Sequence, residues 1–293
     1  EFGVTDDYQI WLGDHGMAGK EFMHGMGNNT YYTRPWPLSE DAHPTSWATA
    51  QMVRQIQRRD PLRPFFFYLS YQFPHPPLVP LRDYMEMYRD VRLREPLEDN
   101  WVDDSFIMRE MTAPARHYTA REIDLARRAY FAQCTHIDHQ IRLVLGALRE
   151  NGLLDNTLIV FTSDHGEMLF DHQMAGKRCF YENSAHIPFL LSGRPVSALR
   201  GVRDARIACL EDVMPTLLRF CGIDVPSTAE GMDLLGKKKR DWLYGEISDG
   251  PKATRMIHDG RHKLIYYPYG NRVQLFDLLK DPNEERDVSG SEA

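Results

Sequence analysis

The residues best placed to do chemistry are Asp164 and His165, in Thr162-Ser163-Asp164-His165-Gly166-Glu167, directly after the apolar run Leu158-Ile159-Val160-Phe161. Preceded by Asp155-Asn156, that run reads as a buried parallel strand, and the carboxyl ends of such strands open on the ligand crevice of α/β sheets. A carboxylate oxygen beside an imidazole nitrogen suits a divalent ion of middling hardness. Neighbours on an extended chain face opposite ways, so sharing one ion requires the backbone to turn, which Gly166 permits. Spacing alone leaves a second reading equally open: a strand-end aspartate capping the next helix, beside a solvated histidine.

Further motifs follow in order. Gly176-Lys177-Arg178-Cys179-Phe180-Tyr181-Glu182 and Ile187-Pro188 precede a second apolar run, Phe189-Leu190-Leu191. Upstream lie Phe73-Pro74-His75-Pro76-Pro77, Tyr130-Phe131-Ala132 and Ile137-Asp138-His139-Gln140-Ile141; downstream lie Asp212-Val213-Met214-Pro215-Thr216-Leu217-Leu218, His262 to Tyr267, Leu275 to Leu278, and Asp281-Pro282 with Glu284. This succession resembles the sulfatase family of the alkaline-phosphatase-like superfamily, densely from Pro64 to Asp287. The resemblance implies an α/β fold: a mixed sheet flanked by helices, with a small C-terminal four-stranded antiparallel sheet. It implies metal-dependent hydrolysis of a small-molecule sulfate ester, with Asp164 and His165 as metal ligands. Lys177 would bind a sulfate oxygen, where a cation stabilises developing charge, and His75 would protonate the leaving oxygen. From spacing alone, Lys177 is a surface lysine and His75 a histidine pinned by prolines. The implied ion is calcium first, with manganese, magnesium and zinc as alternatives.

The family's nucleophile is a formylglycine made from Cys or Ser in a Cys/Ser-x-Pro/Ala-x-Arg motif, and none of Cys134, Cys179, Cys209 and Cys221 stands in one. The resemblance therefore implies that these residues form the back two-thirds of such an enzyme, with the nucleophile and the paired first-strand aspartates upstream. As it stands the chain is expected to be inactive. Asp-His, in place of the Asp-Asn of calcium-bound arylsulfatases, is similar to relatives that hydrolyse phosphonate monoesters or phosphodiesters, which supplies the alternative activity. A catalytically inactive fragment with exposed sheet edges, prone to pair with itself, is the reading of a different class.

The positioning elements are read as follows. Thr45 or Ser46 caps a helix to Arg58, feeding a strand at Phe65–Ser70 that delivers His75. Residues 81–117 form a charged insertion. Thr119 and Glu122 make a capping box for one long helix reaching Gly152, with His136 and Asp138 on its polar flank. Pro215 falls in the first turn of a short helix. Lys237 to Arg240 is a solvated linker, after which four antiparallel strands fit the alternation and turns. The boundary between catalytic domain (1–236) and C-terminal subdomain (237–293) is placed at that linker. Residues 1–43 read as a surface excursion, and their Asp14-His15-Gly16 as a chance copy of the metal motif.

Composition is that of a globular chain, with 42% hydrophobic and 26% charged residues over 293 positions. A net charge of −7 disfavours nucleic acid as a partner, and no apolar stretch spans a membrane. The cysteine spacing suggests no disulfide framework. Homo-oligomerisation and compartment stay open.

Overall fold

The computed structural model describes residues 6–97, 99, 101 and 113–290. It divides into two compact units. Unit 1 comprises residues 1–95, 115–160 and 191–198, and unit 2 comprises 96–114, 161–190 and 199–293. Most of the 81–117 insertion beyond residue 97 lies outside the described residues.

Unit 1 is helical. α1 (Asp7–Asp14), α2 (Pro44–Arg58) and α3 (Arg82–Glu86) accompany the 31-residue α4 (Ala120–Glu150). The capping box of α4 is present: Thr119 Oγ1 accepts from the Glu122 N–H at 3.3 Å, and Glu122 Oε2 accepts from the Thr119 N–H at 2.7 Å. α2 packs along α4 through a core of Ile56, Ala147 and Leu148, joined by Met52, Val53, Phe65 and Phe67. The N-cap of α2 is neither Thr45 nor Ser46, which are buried inside the helix. It is His43, whose Nδ1 accepts the Thr45 N–H at 3.2 Å. His136 is likewise not on a polar flank. It is 2% exposed and meets Ser46 Oγ at 3.0 Å, while Asp138 does face solvent. The first 43 residues are more than an excursion, since Leu12, Tyr31, Trp36 and Ala42 are all buried.

Phe65–Ser70 keeps the alternation of a strand, with Phe65 and Phe67 packed inward and Phe66 and Tyr68 exposed. It is nevertheless not a strand, because strand pairing requires a partner's backbone groups and none meets it among the described residues.

Unit 2 is built around β-structure. β1 (Ala113–Pro114) pairs antiparallel with β3 (Met174–Ala175); β2 (Ile159–Thr162) pairs with β4 (Phe189–Ser192), β2 and β4 each having residues in both units. β2 is less buried than its apolar run suggests, with Phe161 41% exposed, because it has one strand neighbour among the described residues. Two helices follow, α5 (Glu182–Ala185) and α6 (Val213–Phe220), the latter with Pro215 in its first turn. The C-terminal strands β5 (Leu243–Ile247), β6 (Thr254–His258), β7 (His262–Tyr267) and β8 (Arg272–Asp277) form an antiparallel meander in chain order, as the alternation and turns predict. Its inner face carries Met256, Ile265, Tyr267 and Phe276 onto Met168, Met174 and Tyr181.

The Lys237–Arg240 run is not wholly solvated. Arg240 places both terminal nitrogens on the fully buried Asp212 carboxylate, at 2.6 and 2.7 Å, which ties the start of α6 to the run before β5. Burial opposes the Asp212 charge, but this guanidinium and the Met232 and Cys209 amides hold its carboxyl below the usual range.

Candidate active site

At the end of β2 the chain leaves the strand through Ser163 and presents Asp164 and His165 side by side. His165 Nε2 lies 3.5 Å from Asp164 Oδ2, with the Asp164 side chain 82% exposed. Each group is held by its other polar atom. Asp164 Oδ1 accepts the His165 N–H at 2.9 Å, leaving Oδ2 outward. His165 Nδ1 lies 2.8 Å from the Gly166 carbonyl oxygen. A carbonyl only accepts, so Nδ1 carries the proton and Nε2 of the neutral ring keeps its lone pair, as a metal-binding imidazole needs. The 3.5 Å separation also suits two ligands on one ion at bond lengths of about 2.1 Å. The pair therefore fits a divalent ion, as part of a coordination shell: among the described residues no three His, Cys, Asp or Glu side chains converge.

Gly166 does not take the left-handed conformation that only glycine adopts freely. It is needed for space, since a Cβ there would lie 2.0 Å from the Asn183 carbonyl oxygen. Backbone bonds explain the close approach: Gly166 N–H donates to Ser184 O and Glu167 N–H to Asn183 O, both at 2.8 Å. The Asp164–His165 loop thus lies directly on the start of α5.

Glu167 links this loop to the lysine. Its Oε1 accepts the Leu169 N–H at 3.1 Å and the Gly176 N–H at 2.5 Å, while Met168 N–H donates to Gly176 O at 2.8 Å. Lys177 follows immediately, half-buried, after Gly176 has taken a φ of +101°. Asp164, His165 and Lys177 therefore stand on two hydrogen-bonded segments of unit 2.

His75 belongs to unit 1, in a loop where its N–H donates to Gln72 O at 3.2 Å. Its Nδ1 donates to Pro76 O at 2.5 Å. The loop is anchored by Phe73, packed with Trp36 and Val79 against Ile137 of α4.

None of three cysteines is disposed to act as a nucleophile. Burial pushes the Cys134, Cys179 and Cys209 thiols up to about 12, so they stay protonated at neutral pH. Sequence reasoning missed Glu167, Asn183 and Asp171, which organise the site. The last two act together, Asn183 Nδ2 donating to the buried Asp171 Oδ2 at 2.7 Å. Nothing in their local spacing signals it, for the partners meet only in the fold.

The mixed α/β architecture with its four-stranded antiparallel C-terminal sheet has counterparts among solved structures. The phosphonate monoester hydrolase of Agrobacterium radiobacter superposes with a TM-score of 0.81 at 22% identity, over 98% of this chain and 65% of that one, which shows a shared fold. The sulfatase family model matches residues 10–223, and that of the N-sulphoglucosamine sulphohydrolase C-terminal part matches 170–293. The chain belongs to the sulfatase family. It is 35% identical to an arylsulfatase of Clostridium perfringens over 299 residues, covering 98% of this chain and 62% of that protein. It is 31% identical to arylsulfatase K of Xenopus laevis, covering 94% of this chain and 56% of that protein. The chain thus spans about three fifths of the length of these relatives.

Proposed function

We propose that this chain supplies the metal-holding, sulfate-binding and proton-donating side chains for hydrolysis of a small-molecule sulfate ester. The observation that carries the proposal is the held tautomer of His165, its open Nε2 set 3.5 Å from the outward oxygen of Asp164. The family is in general divalent-metal dependent. Calcium is our first choice, with manganese, magnesium and zinc behind it. When bound, such an ion supplies Lewis-acid charge to the ester oxygens. Asp164 and His165 hold it, Lys177 draws a sulfate oxygen into place, and His75 Nε2 gives its proton to the leaving oxygen. We take residues 1–236 as part of the catalytic domain and 237–293 as its antiparallel subdomain.

The Asp-His pair, similar to that of phosphonate and phosphodiester hydrolases in the superfamily, favours those esters as the second reading. Titration with manganese, followed by paramagnetic broadening of the His165 ring signals, tests the metal pair. Broadening in the unaltered chain, lost in Asp164→Ala, is the expected result. Aryl sulfate and aryl phosphonate turnover by the full-length protein then separates the two readings. The His75→Ala variant is expected to lose about 100-fold in turnover of an ester with a poor leaving group.

A further inference from the structure

Lys263 lies on β7 on the same face as Ile265 and Tyr267, 2% exposed, where the strand's alternation calls for an apolar residue. Its three ammonium protons are matched by three acceptors: Phe180 O at 2.8 Å, Glu284 Oε1 at 2.9 Å and Glu182 Oε1. Glu284, 1% exposed, also accepts the Glu182 N–H on Oε2 at 2.6 Å. One lysine and one glutamate from the C-terminal region thus grip both backbone and side chain at residues 180–182.

The segment they grip is the one that carries the metal-pair loop. Asn183 O and Ser184 O, the next two carbonyls, receive the Glu167 and Gly166 N–H groups. Gly166 O in turn receives the His165 Nδ1 proton that leaves Nε2 open. Every link from Lys263 to His165 is a directional hydrogen bond or one to three covalently joined residues.

Stability alone does not call for such a lysine. Replacing a buried ion pair by apolar side chains of similar volume is often neutral or stabilising. What an apolar residue cannot do is fix a carbonyl oxygen in direction. Burial favours the neutral form of both glutamates, yet the His186 hydrogen bond and the Lys263 charge hold the Glu182 carboxyl down at about 2. Glu284, the more buried of the two, is raised by burial despite the same ammonium.

We propose that Lys263 and Glu284 are positioning residues of the active site, which set His165 Nε2 against Asp164 Oδ2 through the 180–184 segment. This rests on the reading of Asp164 and His165 as a metal pair.

The test compares Lys263→Met with Arg240→Met on the same chain. Arg240 is a control of the same kind, because it too serves a buried carboxylate in unit 2, but its bonds go to Asp212 and Ile207 O and none to residues 163–184. The readouts are amide hydrogen exchange at Gly166 and Glu167, compared at matched stability in urea, and manganese affinity from broadening of the His165 ring. Lys263→Met is expected to accelerate those two amides and to weaken manganese, each about tenfold. Arg240→Met is expected to leave both within about twofold once its loss of stability is matched. Should Lys263→Met not fold, Glu284→Gln, which keeps the shape and removes the charge, carries the same comparison with a smaller effect. Equal responses in lysine and arginine variants overturn the positioning role while leaving the metal pair intact. No broadening in the unaltered chain overturns the metal pair, and the proposal with it.

Discussion

Each unit of the molecule contains the tripeptide Asp-His-Gly, and the two copies are put to different use. In unit 1, Asp14 closes α1, and His15 Nδ1 donates to Trp11 O at 2.7 Å, one turn back along the helix, with the rings 4.2 Å apart. Gly16 takes a φ of +69° and a Cβ there would touch nothing within 4 Å. In unit 2 the same three residues leave a strand, the imidazole sits against its own aspartate, and the glycine is pressed against the Asn183 carbonyl. In both copies a carbonyl takes the Nδ1 proton. Among the described residues, only after the strand does a carboxylate oxygen share the space in front of Nε2. The tripeptide supplies the atoms, and the preceding element decides whether they converge.

Histidines elsewhere extend the contrast and give the largest expected effect. Unit 1 buries His43 and His136 with their rings 4.8 Å apart. Burial, reinforced for His43 by the His136 charge and for His136 by that of His139, lowers them to about 3 and about 4. Both folded values lie below the unfolded value, so the unfolded chain binds more protons and stability falls once pH drops below about 6.5. By pH 5 the loss is about 2 kcal/mol for each ring, about 4 kcal/mol together. Unit 2 behaves otherwise. There His172 is buried with Nδ1 2.6 Å from Asp99 Oδ2 and Nε2 2.9 Å from Asn283 O, so both ring nitrogens meet an acceptor. The hydrogen bond to Glu182 raises His186, whose contribution is full below its unfolded pKa and fades as pH rises through the folded one. Urea midpoints between pH 7.5 and 5 check the sign, and His136→Gln should remove about half of the acid loss. An unchanged pH slope in that variant breaks the contrast.

The glycines give the next effect. Gly166→Ala drives a Cβ into backbone that two hydrogen bonds hold, and is expected to cost about 3 kcal/mol. Gly16→Ala meets no atom and bears only the cost of a left-handed conformation, about 1 kcal/mol. Thermal unfolding of the two variants measures the gap. Equal losses would mean that the Gly166 loop shifts freely, contrary to its contacts with Asn183 and Ser184.

What could be read from the sequence was local. The capping box at Thr119, the long amphipathic period after it and the alternation of the last four strands each depend on residues a few positions apart, and all three are present. The misreadings were questions of partnership. The Phe65–Ser70 alternation was legible, but a strand also needs a neighbour. His136 was assigned to a polar flank because nothing nearby announces Ser46, 90 residues earlier. Arg240 sat in a basic run that hides its bidentate pairing with Asp212, 28 residues earlier. Lys263 could have been caught, since placing Ile265 and Tyr267 inward puts the lysine on the same face. For the site, the Asp164-His165 adjacency was plain in the sequence, whereas the tautomer and the role of Gly166 came from carbonyls that only the fold brings near.

The smallest effect on stability is also the sharpest test of the opening contrast. His15 and His165 are both partly solvent-facing, and each makes one local hydrogen bond to a backbone carbonyl. Substituting either by alanine is expected to change stability by only about 0.5 kcal/mol. Stability therefore cannot tell the two apart, and the discriminating measurement is metal binding. His165→Ala should abolish the manganese effect on the Asp164 loop, because a lone exposed carboxylate is a weak ligand for a divalent ion. His15→Ala should leave it untouched, since no carboxylate among the described residues pairs with His15. If the two variants bind manganese alike, the element preceding an Asp-His-Gly tripeptide does not determine its chemistry, and the strand-end geometry loses its standing as the mark of the site.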